Sequence, residues 1–266
     1  MEQPVTPSPM DAFPPAQMAR LVEAVGVRKT AQAALPTVML GVLAGAFIAL
    51  GACLYMIVIT DSTIGYGPTR LLGGLAFSLG LILVIVGGAE LFTGNSLIVM
   101  AWADRKVSTA SLLRNWAVVY VANFLGAVGI AAAVAWSGIV TGPIAATAIR
   151  IAEAKVSLDP GAAFLRGVLC NVLVCLAVWL CFAAHSVTDK VLAIPLPIAA
   201  FVALGFEHSV ANMFFLPLGW LLGAPKVALA AMLANLVPVT LGNIVGGGVL
   251  VAGFYWAIYL RPPRAG

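Results

Sequence analysis

Gly88-Ala-Glu-Leu-Phe-Thr-Gly-Asn95 and Gly205-Phe-Glu-His-Ser-Val-Ala-Asn212 share the pattern G-x-E-x4-N, and each interrupts a long apolar run near its middle. Downstream of them, Asn115, Asn123 and Gly126 recur with identical spacing as Asn235, Asn243 and Gly246. Ionisable side chains are expensive inside a bilayer. Non-helical backbone is tolerated there only when protein buries it or a cavity borders it. A duplicated unit with a polar break inside a hydrophobic segment is a common way to build a midplane pathway. The two breaks therefore organise the reading of the whole chain.

Composition supports a membrane protein: 62% of the 266 residues are hydrophobic and 9% are charged, against roughly 25% charged in a soluble domain. Residues 30–60, 115–149, 167–188 and 227–260 carry no charge, residues 71–103 carry only Glu90, and residues 191–225 carry only Glu207. A helix needs about 20 apolar residues to cross a bilayer. These intervals predict an all-α membrane protein of six transmembrane helices. Three spans per half is an odd number, so the second copy enters the membrane inverted. Residues 30–136 and 160–260 form the halves of this 3+3 repeat, joined by an outward-facing polar loop around Arg150–Asp159. Gly41-Val-Leu and Gly167-Val-Leu echo each other at the leading spans.

The chain divides into a cytoplasmic N-terminal segment (1–29), a channel domain (30–261) and a short cytoplasmic tail (262–266). No cleavable targeting segment is visible. Pro4, Pro7, Pro9, Pro14 and Pro15 mark a leader that is expected to be disordered. Residues 16–29 alternate apolar and charged positions, which fits a helix lying at the membrane interface or a flexible leader. Lys and Arg set orientation. Arg20, Arg28, Lys29, Arg105, Lys106, Arg114, Lys190, Arg261 and Arg264 fall on one side, and Arg70, Arg150, Lys155, Arg166 and Lys226 on the other. The richer side is cytoplasmic and holds both termini. The net charge of +4 is then a topology signal, and no motif suggests a nucleic-acid partner. Cys53, Cys170, Cys175 and Cys181 lie in apolar spans without metal-ligand spacing. No nucleophile–base pair or cofactor loop points to an enzyme, and no cofactor or metal is expected.

Each polar residue at the breaks has two readings. Glu90 and Glu207 either cap broken helix ends by accepting backbone N–H groups or act as pathway carboxylates. Asn95, Asn212, Asn115 and Asn235 read as structural hydrogen-bonders. Asn171 and Asn243 either line a lumen or bond between helices. His208 stands apart, because it is deep in an apolar run beside a break and titrates near physiological pH. Thr93 at the other break offers it a hydroxyl across the pseudo-twofold. His185, near Asp189 and Lys190, reads as interfacial.

Several stretches resemble the formate/nitrite transporter family, most of all its formate channels. They are Phe77-Ser-Leu-Gly-Leu-Ile-Leu83, Gly88-Ala-Glu-Leu-Phe-Thr93, Val174-Cys-Leu-Ala-Val-Trp179, Gly205-Phe-Glu-His-Ser-Val-Ala-Asn-Met213, Pro238-Val-Thr-Leu-Gly-Asn-Ile-Val-Gly-Gly-Gly248 and Tyr255-Trp-Ala-Ile-Tyr-Leu-Arg261. The resemblance implies an aquaporin-like protomer with its second and fifth helices broken, assembled as a homopentamer in a bacterial inner membrane. It implies that His208 is the central lumen histidine and Thr93 its hydrogen-bond partner. Phe77, Leu81, Leu91, Phe92, Val174 and Phe201 fall where the family places apolar constrictions. Lys155 and Asn171 match a vestibule lysine and a lumen asparagine, and Asn243 a further lumen residue. The loop around Gly223–Lys226 is shorter than the family pattern, which bears on vestibule shape.

The expected substrate is a small monovalent anion, formate foremost, with nitrite or hydrosulfide as the near alternative. A water or glycerol channel is more distant, because no Asn-Pro-Ala tripeptide occurs. Lys155 would draw the anion in by long-range attraction, unless it is a solvated loop lysine paired with Glu153 or Asp159. His208 would then stabilise the anion when charged or lend it a proton for crossing as neutral acid.

Overall fold

Six charge-poor intervals become six helical spans of membrane length in the computed structural model, which describes residues 12–261. Backbone groups in a bilayer have no water to pair with, so helix satisfies them locally. The elements are α1 (Pro15–Ala31), α2 (Ala34–Ile59), α3 (Tyr66–Gly87), a 3-10 turn (Gly94–Ile98) running into α4 (Val99–Ala103), and α5 (Thr109–Trp136). They continue with α6 (Gly142–Val156), α7 (Pro160–Cys181), α8 (Val187–Ala193), α9 (Pro195–Leu204), α10 (Ser209–Leu221), α11 (Leu229–Ile244), a π-helical stretch (Val245–Gly253) and α12 (Phe254–Tyr259). The second span breaks between α3 and the 3-10 turn, and the fifth between α9 and α10. Residues 1–11 of the leader and the tail at 262–266 lie outside the described residues.

Two expectations are corrected by the helix boundaries. The charge-free interval 115–149 is not one span: α5 ends at Trp136, Gly138 turns the chain at φ 76°, and α6 begins at Gly142. A lack of charge reports an apolar environment, not helix continuity. The stretch beginning at Arg150 is therefore the second half of helix α6 rather than a loop, and only Ser157–Asp159 joins it to α7. Helix α6 precedes α7 as α1 precedes α2, so each repeat carries a leading helix that ends near a lysine.

The boundary drawn at residue 29 also falls inside a helix, since α1 runs to Ala31. Met18, Ala19 and Val22 are buried with Leu97 and Met100 of the second span, so α1 belongs to the helical body. Glu23 on α1 takes a hydrogen bond from Lys106, which also bridges to Asp104 at 3.0 Å. Burial lifts the Glu23 carboxyl above the ordinary range, and its bonds to Glu23 and Asp104 raise the Lys106 ammonium.

Both breaks use the same local device. Gly88 caps α3 at φ 78° and Gly205 caps α9 at φ 74°, a left-handed conformation that glycine adopts without steric cost. Ala89 N–H then closes on Val84 O (2.9 Å), as Phe206 N–H does on Phe201 O (3.0 Å). Buried asparagines staple the opened backbone. Asn123 donates to Gly41 O (2.7 Å) and Glu90 O (2.9 Å) and accepts from Phe92 N (2.9 Å). Asn243 donates to Gly167 O (2.8 Å) and Glu207 O (3.0 Å) and accepts from Ser209 N (2.9 Å).

Close helix contact lets these staples reach. A Cβ on Gly126 would overlap the Val42 carbonyl of α2, and one on Gly246 would overlap the Val168 carbonyl of α7. Small residues at such crossings are how membrane helices approach each other. Because neither neighbour is a flexible side chain, Gly126→Ala and Gly246→Ala should each destabilise the protein by about 1–3 kcal/mol. Melting of the detergent-solubilised protein checks this, and an unchanged transition for both would show that the crossings relax freely.

Candidate functional site

Each break carries one carboxylate, and a lysine from the leading helix of its repeat neutralises it. Lys29 Nζ lies 2.9 Å from Glu90 Oε2, and Lys155 Nζ lies 2.9 Å from Glu207 Oε1. Asn95 donates to Glu90 (2.7 Å) and Asn115 (3.0 Å), and Asn212 to Glu207 (2.7 Å) and Asn235 (2.8 Å). Asn115 then donates to Lys29 O (3.3 Å) and Asn235 to Lys155 O (2.9 Å), which closes both circuits. The halves match residue for residue, and they differ at the asparagine beside the carboxylate. Lys29 also donates to Asn95 Oδ1 (2.8 Å), whereas Lys155 sits 5.6 Å from the Phe215 ring centre and Asn212 Oδ1 is buried without a partner among the described residues.

These circuits correct three sequence readings. Glu90 and Glu207 accept from lysine and asparagine side chains, not from the N–H groups of the broken helices, because Asn123, Asn243 and His208 already serve those. Lys155 pairs with Glu207 rather than with Glu153 or Asp159; Asp159 instead caps α7 by accepting from Gly161 N and Ala162 N. Asn243 spends both amide hydrogens and one oxygen lone pair on the backbone of the break and α7, so it bonds between helices, the other of its two readings. Lys29 was missed altogether. Its signal was its distance before Gly41, which equals that of Lys155 before Gly167.

At the centre, Thr93 Oγ1 and His208 Nε2 are 2.9 Å apart, and both residues are buried. His208 Nδ1 accepts from Ala211 N (3.1 Å) as the N-cap of α10. A nitrogen that accepts carries no proton, so the neutral ring holds its hydrogen on Nε2 and donates to Thr93. Asn171 shares its two amide hydrogens among Thr93 O (3.2 Å), Ser96 Oγ (3.2 Å) and Asn243 O (2.6 Å), and its own Oδ1 is buried without a partner among the described residues.

Two cavities approach this pair from opposite ends of α3. One, of about 270 Å³, is lined by Lys29, Glu90, Leu81 and Leu91 beneath Val22 and Gly26 of α1. The other, of about 210 Å³, is lined by Lys155, Glu207, Phe77, Phe201 and His208. Phe77, which lines the second cavity, and Leu81, which lines the first, sit one helical turn apart on α3, about 6 Å along its axis. The Phe77 and Phe201 rings meet edge to face at 5.6 Å, and Phe201 lies 5.9 Å from the His208 ring. Phe92 is placed differently from a constriction residue, because its ring packs on Trp116 (6.2 Å) and Tyr120 (4.9 Å) of α5. Val174 is buried and borders neither cavity.

The Lys155–Glu207 pair generates a test. Breaking a buried pair leaves one charge uncompensated and costs about 3–5 kcal/mol, whereas removing both partners costs much less. Glu207→Gln should lower the melting temperature strongly, and Lys155→Met combined with Glu207→Gln should recover most of the loss. Additive losses in the double variant would show that the pair is not coupled.

The formate/nitrite transporter family matches residues 16–257. The formate channel FocA of Escherichia coli (strain K12) is 39% identical over 96% of this chain and 97% of its own length. A probable formate transporter of Methanothermobacter thermautotrophicus is 41% identical over 93% of this chain and 97% of its own. Among solved structures, a pentameric formate channel with formate bound superposes with a TM-score of 0.80 at 41% identity, covering 86% of this chain and 98% of that one. An FNT family ion channel gives 0.85 at 31% identity, covering 92% and 99%. With six membrane-length helices and these relatives, this chain is an integral membrane protein and belongs to the formate/nitrite transporter family.

Proposed function

We propose that the chain conducts small monovalent anions across a bacterial inner membrane, with formate as the main substrate and both termini in the cytoplasm. The observation that carries this reading is the buried Thr93–His208 pair standing between two cavities, each with a lysine at its rim. The homologous formate channels supply the substrate class, and the pentameric relative supplies the assembly, a homopentamer embedded in lipid. Nitrite and hydrosulfide share formate's charge and small size and are secondary permeants. Leu81 and Leu91 on one side of the centre, with Phe77 and Phe201 on the other, make a dry passage in which a bare charge is heavily penalised.

In the resting geometry His208 acts as a neutral hydrogen-bond donor. It cannot give up its Nε2 proton outright, because that would leave an imidazolate. Charging the ring requires protonation of Nδ1, which forces Ala211 N–H to release it and loosens the first turn of α10. Proton coupling through His208 is thus tied to a local movement of the half-helix it caps.

Asparagine caps helices well, so His208→Asn should keep the fold and the pentamer while changing how formate flux depends on pH in proteoliposomes. Superimposable pH curves for the two proteins would reduce His208 to a structural cap. Replacing Phe77 or Phe201 by Ala removes one ring of the edge-to-face pair. Flux of bulkier monocarboxylates such as lactate should rise relative to formate. An unchanged profile in folded protein would assign both rings to packing alone.

A further inference from the structure

Three cations and one carboxylate line the cavity that ends at His208: Arg70, Lys155, Arg166 and Glu207. Lys155 and Glu207 neutralise each other at 2.9 Å, whereas neither arginine forms an ion pair among the described residues. Arg70 reaches inward. Its Nε donates to Ala203 O (3.1 Å), its Nη2 to Val202 O (2.8 Å), and its Nη1 lies 3.5 Å from Tyr55 Oη. The two carbonyls belong to the last turn of α9, where the helix ends at the break, and Val202 O also accepts Gly205 N (3.1 Å). A guanidinium carries five N–H donors, so two remain uncommitted. The Arg166 side chain makes no hydrogen bond among the described residues, while its carbonyl accepts Glu207 N (3.2 Å) and fixes its place beside the break.

The repeat itself does not call for these charges. Leu40 O accepts Glu90 N (3.1 Å), so Leu40 is the counterpart of Arg166. Val187 stands as far before Gly205 as Arg70 stands before Gly88. Both counterparts are apolar, and the matching scaffold forms without an arginine. Charge bias also runs against them, since cations are scarcer on this face and three of its five line this one cavity.

We infer that Arg70 and Arg166, rather than Lys155, form the capture site for the permeant anion in this vestibule. Arg70 presents its two free N–H groups to a planar two-oxygen anion, a carboxylate or nitrite, and Arg166 adds a positive charge that no carboxylate neutralises among the described residues. The fork geometry favours two-oxygen anions over hydrosulfide at the entry step. The inference rests on the anion-channel reading above and assigns its entry residues.

The test is formate uptake into proteoliposomes against concentration, at ionic strengths of about 10 and about 300 mM, for wild type, Arg166→Gln, Arg70→Gln and Arg70→Lys. Each Gln variant should raise the half-saturating formate concentration about three- to tenfold at low salt, with maximal flux kept and the difference largely gone at high salt. Arg70→Lys should retain the salt dependence but lose part of the preference for formate over hydrosulfide. Half-saturation equal to wild type in Arg166→Gln and Arg70→Gln, or a loss that is the same at both salts, overturns the inference. Should Arg70→Gln fail to fold, Arg166→Gln decides, since its side chain anchors nothing. Thermal stabilisation of the detergent-solubilised protein by formate, against equal chloride, reads capture without transport. A wild type that takes up no formate yet is stabilised by it, with the arginine variants less so, sinks the channel reading and leaves the capture site standing.

Discussion

Opened backbone inside a bilayer has to find partners within the protein, and in this chain two asparagine side chains provide them. Asn123 and Asn243 each tie a break to the neighbouring helix through two donated bonds and one accepted bond. Unsatisfied polar groups in hydrocarbon cost several kcal/mol apiece, so the broken spans depend on these contacts. The contacts in turn require α2 to lie against α5, and α7 against α11 and the π-helical stretch that follows it, closely enough that only glycine fits at Gly126 and Gly246. Break, staple and crossing form one constraint, met twice.

The duplicated carboxylates follow the same logic. A lone ionised glutamate in the bilayer would be expensive, and Lys29 and Lys155 compensate Glu90 and Glu207 from helices outside the six spans. This explains why α1 and α6 belong to the fold. Each delivers an ammonium to a break and closes one end of the protein over a cavity.

Chemistry enters where the copies differ. Counting from the paired glutamates, Leu91 corresponds to His208 and Thr93 to Val210. A symmetric pair of breaks would offer either two apolar positions or two ionisable ones. Instead, Thr93 from one copy and His208 from the other meet at 2.9 Å, so the centre has a single ring nitrogen with a single orienting hydroxyl. The arginines at one vestibule depart from the repeat in the same way, since Leu40 and Val187 occupy the equivalent positions of the opposite halves.

The sequence by itself determined the six spans, both breaks and the duplication, and it offered Thr93 as a hydroxyl within reach of His208. Those features are written as charge-free intervals, as glycines that must adopt left-handed backbone, and as polar residues repeated at fixed spacing. Tertiary structure alone decided which atoms those polar residues meet. Asn243 turns to the backbone, Phe92 turns to Trp116 and Tyr120, and Lys155 turns to Glu207, because each partner lies tens of residues away in the chain. Helix α6 was equally hidden, since an apolar interval reads the same whether one helix runs through it or a second one starts within it. Spacing along a chain encodes which face a residue occupies; the partner waiting there depends on helices brought near by the fold.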